Sequence, residues 1–302
     1  MNRRELLEKI TTFPIIAQGL AGDLLAGDFR SVFRGQGIEF DEVRHYERGD
    51  DIRSIDWNVS ARFGTPYVKQ YREEKELTVS LVLDCSASMS CGSGALSRYE
   101  QALISFALLA FSAEQAGQGL GAVFFDREII RVFRPRKGRR HTMALISAAL
   151  QTGFPRQKEA GPPGKEGGRG SCLGDALAGV NRLQRRRSLV AVISDFLCVN
   201  WEQELGKLCR KHDVIALRIS DPLEEAMPNV GLVRLEDPET GAGFYGATGF
   251  ASFRKAWELW HQERRESWEL ICRRSGASPL ELSTAHDAAP VLSRFFGGRR
   301  RI

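Results

Sequence analysis

Three oxygen-bearing side chains alternate with other residues directly after an apolar run. Residues 79–83 are aliphatic and β-branched apart from one serine, which is typical of a strand covered on both faces, and the run ends at Asp84. Asp84, Ser86 and Ser88 follow at every second position. In an extended loop at a strand tip their oxygens can converge on one point, whereas on a helix they would diverge. One carboxylate and two hydroxyls suit Mg²⁺ or Mn²⁺ rather than a thiophilic metal.

The Asp-x-Ser-x-Ser spacing at the tip of an apolar strand resembles the metal-ion-dependent adhesion site of von Willebrand factor type A domains. Three upstream stretches narrow this resemblance to the bacterial family called domain of unknown function 58. They are Phe33-Arg-Gly-Gln-Gly-Ile-Glu-Phe, Tyr46-Glu-Arg-Gly-Asp-Asp-Ile-Arg and Ile55-Asp-Trp-Asn-Val-Ser-Ala-Arg. The resemblance covers nearly the whole chain.

The resemblance also implies two further metal loops. In type A domains the second loop carries a Thr at the start of a helix, and Ser171 stands at the matching position here. The third loop follows a buried strand, and Asp195 is its acidic member after the apolar residues 189–193. Such strand ends meet at the carboxyl edge of a sheet, where open α/β sheets bind ligands. The metal site implied by the resemblance therefore contains Asp84, Ser86, Ser88, Ser171 and Asp195.

Strand and helix patterns alternate in the part of the chain that must position these residues. Strands are predicted at 79–83, 121–125, 129–133, 189–193, 214–219, 231–235 and 279–282. Helices are predicted at 99–115, 139–150, 171–183, 202–210 and 289–296. The alternation predicts an α/β fold, a doubly wound and mostly parallel sheet flanked by helices, with one antiparallel edge at the tight connection after residue 125. The resemblance makes this fold von Willebrand factor type A-like, a Rossmann-like arrangement.

Two further patterns concern the second half of the chain. Residues 155–170 are rich in Gly, Pro and charge and predict a mobile loop, and residues 237–245 predict an exposed hairpin. A long helix follows, in which one face carries the bulky residues Phe253, Trp257, Trp260, Trp268 and Ile271. We interpret that face as core rather than as a stacking platform for nucleic-acid bases.

Residues 1–76 form an N-terminal extension to a domain predicted to span residues 77–302. Helices are predicted before Pro14 and from 15 to 25, and short strands with tight turns from 30 to 69. The second of these parts is dense in Arg and carboxylates. With too few apolar residues for a core of its own, it is interpreted as an ion-pair lattice that clamps onto the following domain, and a docking surface is the alternative.

Composition narrows the class of protein. The chain has 302 residues, 42% of them hydrophobic, and 43 Lys and Arg against 38 Asp and Glu. This small excess favours a mixed solvated surface over nucleic-acid binding. Six cysteines without a Cys-x-x-Cys pair predict a reducing, cytoplasmic setting. The charged start lacks a signal-peptide core, and no run approaches the ~20 apolar residues that span a bilayer, so we expect no membrane association.

The leading interpretation is a metal-dependent protein-binding adaptor, not an enzyme, in which Mg²⁺ or Mn²⁺ accepts a Glu or Asp from a partner protein. The family resemblance implies that this partner is a MoxR-type AAA+ ATPase, acting in chaperone-like assembly or stress response.

Two alternatives stay open. A Mg²⁺-dependent enzyme of unknown substrate could use Asp84 and Asp195, although the sequence shows no phosphate-binding glycine loop and no His placed to activate Cys85. Nucleic acid could bind the basic runs 134–140, 185–187 and 299–301, although no aromatic residues are interleaved with them.

Overall fold

The computed structural model describes residues 13–14, 38–47, 49–73, 78–153 and 172–298. The chain divides into two compact units, a small one of Ser31–Glu76 and a large one of Met1–Arg30 with Leu77–Ile302. Ser171, the predicted loop 155–170 and the predicted helices before residue 26, apart from Phe13 and Pro14, lie outside the described residues.

The small unit contains a two-stranded antiparallel sheet, in which β1 (Ile38–His45) pairs with β2 (Tyr67–Glu73). A short helix, α1 (Trp57–Phe63), lies in the connection. The Asp56 side chain accepts the N–H groups of Asn58 and Val59, which no helix carbonyl can reach. The sequence predicted the strands but not α1, because the seven residues of this helix bury no side chain and so show no apolar period.

Two residues of the predicted mixed-charge lattice, Arg44 and Asp50, form an ion pair inside this unit. Both terminal nitrogens of Arg44 bind the Asp50 carboxylate, at 2.8 and 2.6 Å. This two-point geometry fixes the turn that follows β1. The predicted clamp onto the rest of the chain stays a prediction.

Six strands form the central sheet of the large unit: β3 (Thr78–Asp84), β4 (Gly119–Phe125), β5 (Ile129–Arg136), β6 (Leu189–Ser194), β7 (Asp213–Ser220) and β10 (Ser278–Ser283). Their order across the sheet is β10-β7-β6-β3-β4-β5. Neighbours are parallel except β4 and β5, which are antiparallel across the tight connection. This confirms the predicted α/β fold, a mostly parallel Rossmann-like sheet of the von Willebrand factor type A kind.

Seven helices of the large unit accompany the sheet among the described residues: α2 (Arg98–Gln115), α3 (Arg139–Thr152), α4 (Leu173–Leu183), α5 (Glu202–Cys209), α6 (Pro222–Glu225), α7 (Ala251–Ser275) and α8 (Ala288–Gly298). α2 packs with α3 and α8, while α5 packs with α4 and α7. Val82 of β3 belongs to the core cluster of the α4–α5–α7 group. Its neighbours Leu81 and Leu83 point to the other face and are also fully buried. Burial on both faces explains the apolar run before Asp84.

α2 is the central helix of its layer, since it is buried along nearly its whole length. It begins with a capping box in which the Ser97 hydroxyl and the Glu100 carboxylate each accept a backbone N–H of the other residue. At its other end the Gln115 side chain donates to the carbonyl of Pro14, and the preceding Phe13 is buried.

The strand predicted at 231–235 does not extend the central sheet. β8 (Leu232–Glu236) pairs with β9 (Gly243–Ala247) in a separate two-stranded hairpin, because the short turn between them places the two strands side by side. Leu232, Phe244 and Tyr245 are exposed. The predicted exposed hairpin is therefore confirmed, and the placement of its first strand in the sheet series was wrong.

The predicted core face of α7 is only partly buried. Trp268 is in the core, whereas Trp260 is 49% exposed and lies under the Arg264 guanidinium at 4.9 Å. The first half of α7 packs on the short α6, where Trp257 Nε1 donates to the Leu223 carbonyl at 2.7 Å. A helix of one turn is too small to cover Trp260 as well. No helix in the described part of the chain is long and apolar enough to cross a membrane.

Candidate functional site

The first predicted metal loop begins at the tip of β3. Asp84 is the last residue of this strand and is fully buried. Its Oδ1 accepts the Ser86 N–H at 2.9 Å, which turns the chain sharply after the strand. The hydroxyls of Ser86 and Ser88 then lie 3.2 Å apart. The structure thus places the oxygens of these three predicted site residues in one contiguous group.

The neighbouring strand β6 adds a residue that the sequence analysis did not single out. The Ser194 hydroxyl donates to Asp84 Oδ2 at 2.6 Å and accepts the Phe196 N–H at 3.0 Å. Phe196 has a φ of 54°, a left-handed conformation that is uncommon for a residue other than glycine. Ser194 therefore ties the sharp turn after β6 to the carboxylate at the end of β3.

Asp195, the predicted acidic member of the third loop, is only 3% exposed. Its Oδ1 accepts the Leu197 N–H at 3.0 Å. Its Oδ2 is buried and has no hydrogen-bond partner among the described residues. A buried carboxylate oxygen without a donor is costly, and a cation is one group that satisfies it.

Burial, and then the charge of Asp195, raise the pKa of Asp84 to about 7. The hydrogen bonds from Ser194 and Ser86 act in the opposite direction and only partly compensate. Two carboxylates close together in a buried place disfavour each other's charge. A divalent cation between them would remove that conflict.

Ser171 lies outside the described residues, so the structure does not place it. The next residue, Cys172, donates its N–H to the Asp126 carbonyl at 2.8 Å, directly after the end of β4. Burial first, and the charges of Asp175, Asp126 and Asp84 after it, raise the pKa of the Cys172 thiol to about 11. The start of α4 therefore lies within the electrostatic reach of Asp84.

The backbone of Ser88 is held by two side chains that sequence analysis missed. Its N–H donates to Glu239 Oε1 at 2.9 Å, and its carbonyl accepts from Arg98 Nη1 at 3.3 Å. Glu239 lies 151 positions along the chain, in the turn between β8 and β9. No local spacing can reveal a contact over such a distance, and the turn pattern indicated only an exposed hairpin.

The loop after Ser88 is anchored on its other side by a buried charge network. Arg98 Nη2 donates to Glu224 Oε1 at 2.8 Å, and Glu224 in turn binds Arg218 of β7. Asp221 accepts both the N–H and the hydroxyl of Ser93, at 2.8 and 2.5 Å. The candidate metal loop is therefore fixed to the end of β7 before α2 begins.

The donor set fits a hard cation bound mainly by hydroxyls. In the described ranges no three His, Cys, Asp or Glu side chains are grouped closely enough to hold a metal ion. The oxygens left for a cation are the hydroxyls of Ser86 and Ser88 and the unpartnered Oδ2 of Asp195. Hydroxyl and carboxylate oxygens are ligands of Mg²⁺ and Mn²⁺.

Comparison with known proteins gives a family and uncharacterized relatives. Residues 42–267 match the family described as "Protein of unknown function DUF58". The uncharacterized proteins Mb1516 of Mycobacterium bovis and Rv1480 of Mycobacterium tuberculosis are each 30% identical over 298 residues, 98% of this chain and 90% of their own length. The solved pilus adhesin SpaC of Lactobacillus rhamnosus GG is similar over 76% of this chain and 31% of its own, with 14% identity and a TM-score of 0.41. That likeness is too distant to bear on function.

Proposed function

The chain belongs to the bacterial family described as DUF58, and from that premise we propose that it is a metal-dependent protein-binding adaptor. One observation carries the proposal. At the carboxyl edge of the sheet, Asp84 and Asp195 are buried beside two serine hydroxyls, and Asp195 Oδ2 has no donor within the described ranges. Open α/β sheets bind ligands at this edge.

Ser86, Ser88 and Asp195 would hold Mg²⁺ or Mn²⁺, and the resemblance to type A adhesion sites adds Ser171. Asp84 would support them through the hydrogen bonds that it accepts from Ser86 and Ser194. When bound, such a cation offers a positive charge and an open coordination position to an external carboxylate. The serine hydroxyls are neutral, so the ligands from this chain neutralise only part of the positive charge of the cation. The partner should therefore present a Glu or Asp.

The proposed partner is a MoxR-type AAA+ ATPase, which the family resemblance suggests, and the proposed setting is chaperone-like assembly or stress response. Calorimetric titration of the full chain with the ATPase from the same bacterium tests this. We expect binding in Mg²⁺ and none in EDTA.

The Asp84→Asn variant is the matched control for that titration, because any Mg²⁺ requirement of the ATPase itself would be the same with either chain. We expect this variant not to bind in Mg²⁺. Equal affinity of the wild-type chain in Mg²⁺ and in EDTA, or full affinity of the variant, would show that the partner docks elsewhere.

Two local features favour binding over catalysis. Burial first, with the Asp84 charge, raises the pKa of the Cys85 thiol far above its usual value, so the reactive thiolate is not formed. Ser188 and His212 do share a hydrogen bond, at 2.9 Å between Oγ and Nδ1, but they are 0% and 2% exposed. A substrate cannot reach that hydroxyl. We therefore propose no catalytic residue.

A further inference from the structure

The turn between β8 and β9 brings a carboxylate of the chain itself to the candidate metal loop. Glu239 Oε1 accepts the Ser88 N–H at 2.9 Å. Its Oε2 is buried and finds no hydrogen-bond donor in the described part of the chain. Asp195 Oδ2, on the loop after β6, is also buried and has no hydrogen-bond donor among the described residues. Glu239 thus contacts the loop that carries the two serine hydroxyls, and Asp195 follows Ser194, whose hydroxyl donates to Asp84. Buried carboxylate oxygens without donors favour a cation.

The turn is built to present Glu239. Asp237 Oδ1 accepts the Glu239 N–H at 3.0 Å, and Asp237 Oδ2 accepts the Thr240 hydroxyl at 2.7 Å. The Gly241 N–H donates to the Asp237 carbonyl at 2.7 Å, and Gly241 has a φ of 71° that favours glycine. These bonds lie within the turn, so its conformation does not depend on the contact with Ser88.

Among the described residues, few hydrogen bonds hold the tip of the hairpin to the rest of the large unit. Besides the Ser88 contact, the exposed Arg127 donates from Nη2 to the Glu239 carbonyl at 2.8 Å. The strands behind the tip expose Phe244 and Tyr245, by 54% and 70%. The tip can therefore move away from Ser88 while β8 and β9 stay paired.

We propose that Glu239 is an internal substitute for the partner's carboxylate, and that a partner's Glu or Asp binds the metal site by displacing the hairpin tip. The inference rests on the proposed function and adds to it the residue that competes with the partner. The competition is chemically matched, because Glu239 carries the same group that the partner is proposed to offer. A site closed in this way rejects small carboxylates and accepts a protein whose other contacts favour release of the tip.

The full chain loaded with Mn²⁺ alone tests the proposal through the relaxation of water protons, which reports how freely water reaches the bound ion. In Glu239→Ala the relaxation per bound Mn²⁺ should rise, because water enters the space left by the carboxylate. Added acetate should then lower it at a concentration about tenfold below that needed in the wild-type chain. Faster hydrogen exchange of the Ser88 amide should accompany the change.

Two variants separate the possible causes. Glu239→Gln keeps an acceptor for the Ser88 N–H but removes the charge, so its acetate response should follow Glu239→Ala. Glu236→Ala removes an exposed carboxylate from the same hairpin and should behave like the wild-type chain. If Glu239→Ala binds Mn²⁺ but its relaxation and its acetate response equal those of the wild-type chain, then Glu239 is not an internal substitute, and the proposed function stands. Failure of both the wild-type chain and Glu239→Ala to bind Mn²⁺ overturns the proposed function with it.

Discussion

Asp84 belongs both to the proposed metal site and to the buried hydrogen bonds that hold the end of β3. A position at a strand tip predicts a residue outside the core, at which Asp84→Ala would leave the fold intact. The tip position is right, but the residue is fully buried and accepts bonds from the Ser86 N–H and the Ser194 hydroxyl. Alanine would leave both donors unpaired, at about 1–3 kcal/mol each.

Asparagine at position 84 is the informative change, because it keeps the shape and an acceptor but removes the charge. In EDTA we expect Asp84→Asn to unfold at the same or a higher temperature than the wild-type chain, since its repulsion with Asp195 is gone. Mg²⁺ should raise the unfolding temperature of the wild-type chain by more than that of the variant. Equal Mg²⁺ stabilisation of both in thermal unfolding would rule out Asp84 as part of the site.

His212 gives a pH dependence that is independent of the metal site. Burial first, and the Lys211 charge, lower the pKa of His212 to about 4 from an ordinary 6.5. The unfolded chain therefore takes up the proton first as the pH falls. Neutral His212 therefore makes the folded chain more stable at high pH. This contribution to the unfolding free energy is complete above pH 6.5, is lost between pH 6.5 and about 4, and has a maximum of about 3 kcal/mol.

Neutral His212 accepts from Ser188 at Nδ1, and protonation would remove that acceptor. We expect His212→Gln to flatten the fall in unfolding free energy between pH 6.5 and 4, measured by urea titration at each pH. His286→Gln, a change at an exposed histidine, is the control and should keep the wild-type slope. A slope unchanged by His212→Gln would mean that other groups cause the acid sensitivity.

At the residue scale, the sequence predicts the part of the site that is local. The alternation of Asp84, Ser86 and Ser88 is visible because every second residue of an extended segment points the same way. The expected extended loop was wrong beyond Ser86, since Ser88 lies in a 3-10 turn, Ala87–Ser90. The Ser88 contacts with Glu239 and Arg98 could not be predicted, since they depend on how distant elements pack. Ser194 had a partial signal, because it directly precedes Asp195 at the end of a predicted strand.

At the scale of elements, the end of α3 depends on a glycine that allows close packing with α2. A Cβ at Gly153 would lie 1.7 Å from the buried Tyr99 ring, whose hydroxyl donates to the Ala149 carbonyl at 2.7 Å. Gly153→Ala must displace that ring, and we expect a loss of about 1–3 kcal/mol in unfolding free energy.

Gly206→Ala is the matched control, since it lies inside α5 with no atom within 4 Å of the added Cβ. There alanine should stabilise the protein by about 0.5–1 kcal/mol, because glycine is the poorer helix former. Denaturant unfolding of both variants checks the pair. An unchanged unfolding free energy in Gly153→Ala would mean that the Tyr99 ring repacks without a loss of stability.

Elements with a strong pattern were predictable, and those shaped by their neighbours were not. The buried strands β3 and β6 are visible in the sequence as apolar runs, because both faces of the sheet are covered. β8 has the same residue types, but the turn after it decides its pairing. Trp260 shows the same limit in a helix, since a spacing that marks a core face does not say how far the facing element extends.

At the scale of the whole molecule, residues 1–76 are expected to protect apolar surface of the domain that follows. Phe13 is 7% exposed and belongs to the large unit. A chain of residues 77–302 should therefore bind more of a hydrophobic dye than the full chain and unfold at a lower temperature. Phe13→Ala in the full chain should lower the unfolding free energy by about 3 kcal/mol. This variant shows how much of the effect of the truncation is due to Phe13. Equal stability and solubility of the truncated chain would refute the predicted clamp.

Binding of Mn²⁺, measured by electron paramagnetic resonance, shows whether the carboxyl edge of the sheet holds one hard divalent cation. We expect one tight Mn²⁺ per wild-type chain, displaced by Mg²⁺. The Mn²⁺ affinity should be about 10- to 100-fold lower in Asp84→Asn and unchanged in Glu258→Gln, a control at an exposed residue of α7. Equal Mn²⁺ affinity in Asp84→Asn and wild type, or no bound Mn²⁺ in either, would mean that the cation site is not at Asp84.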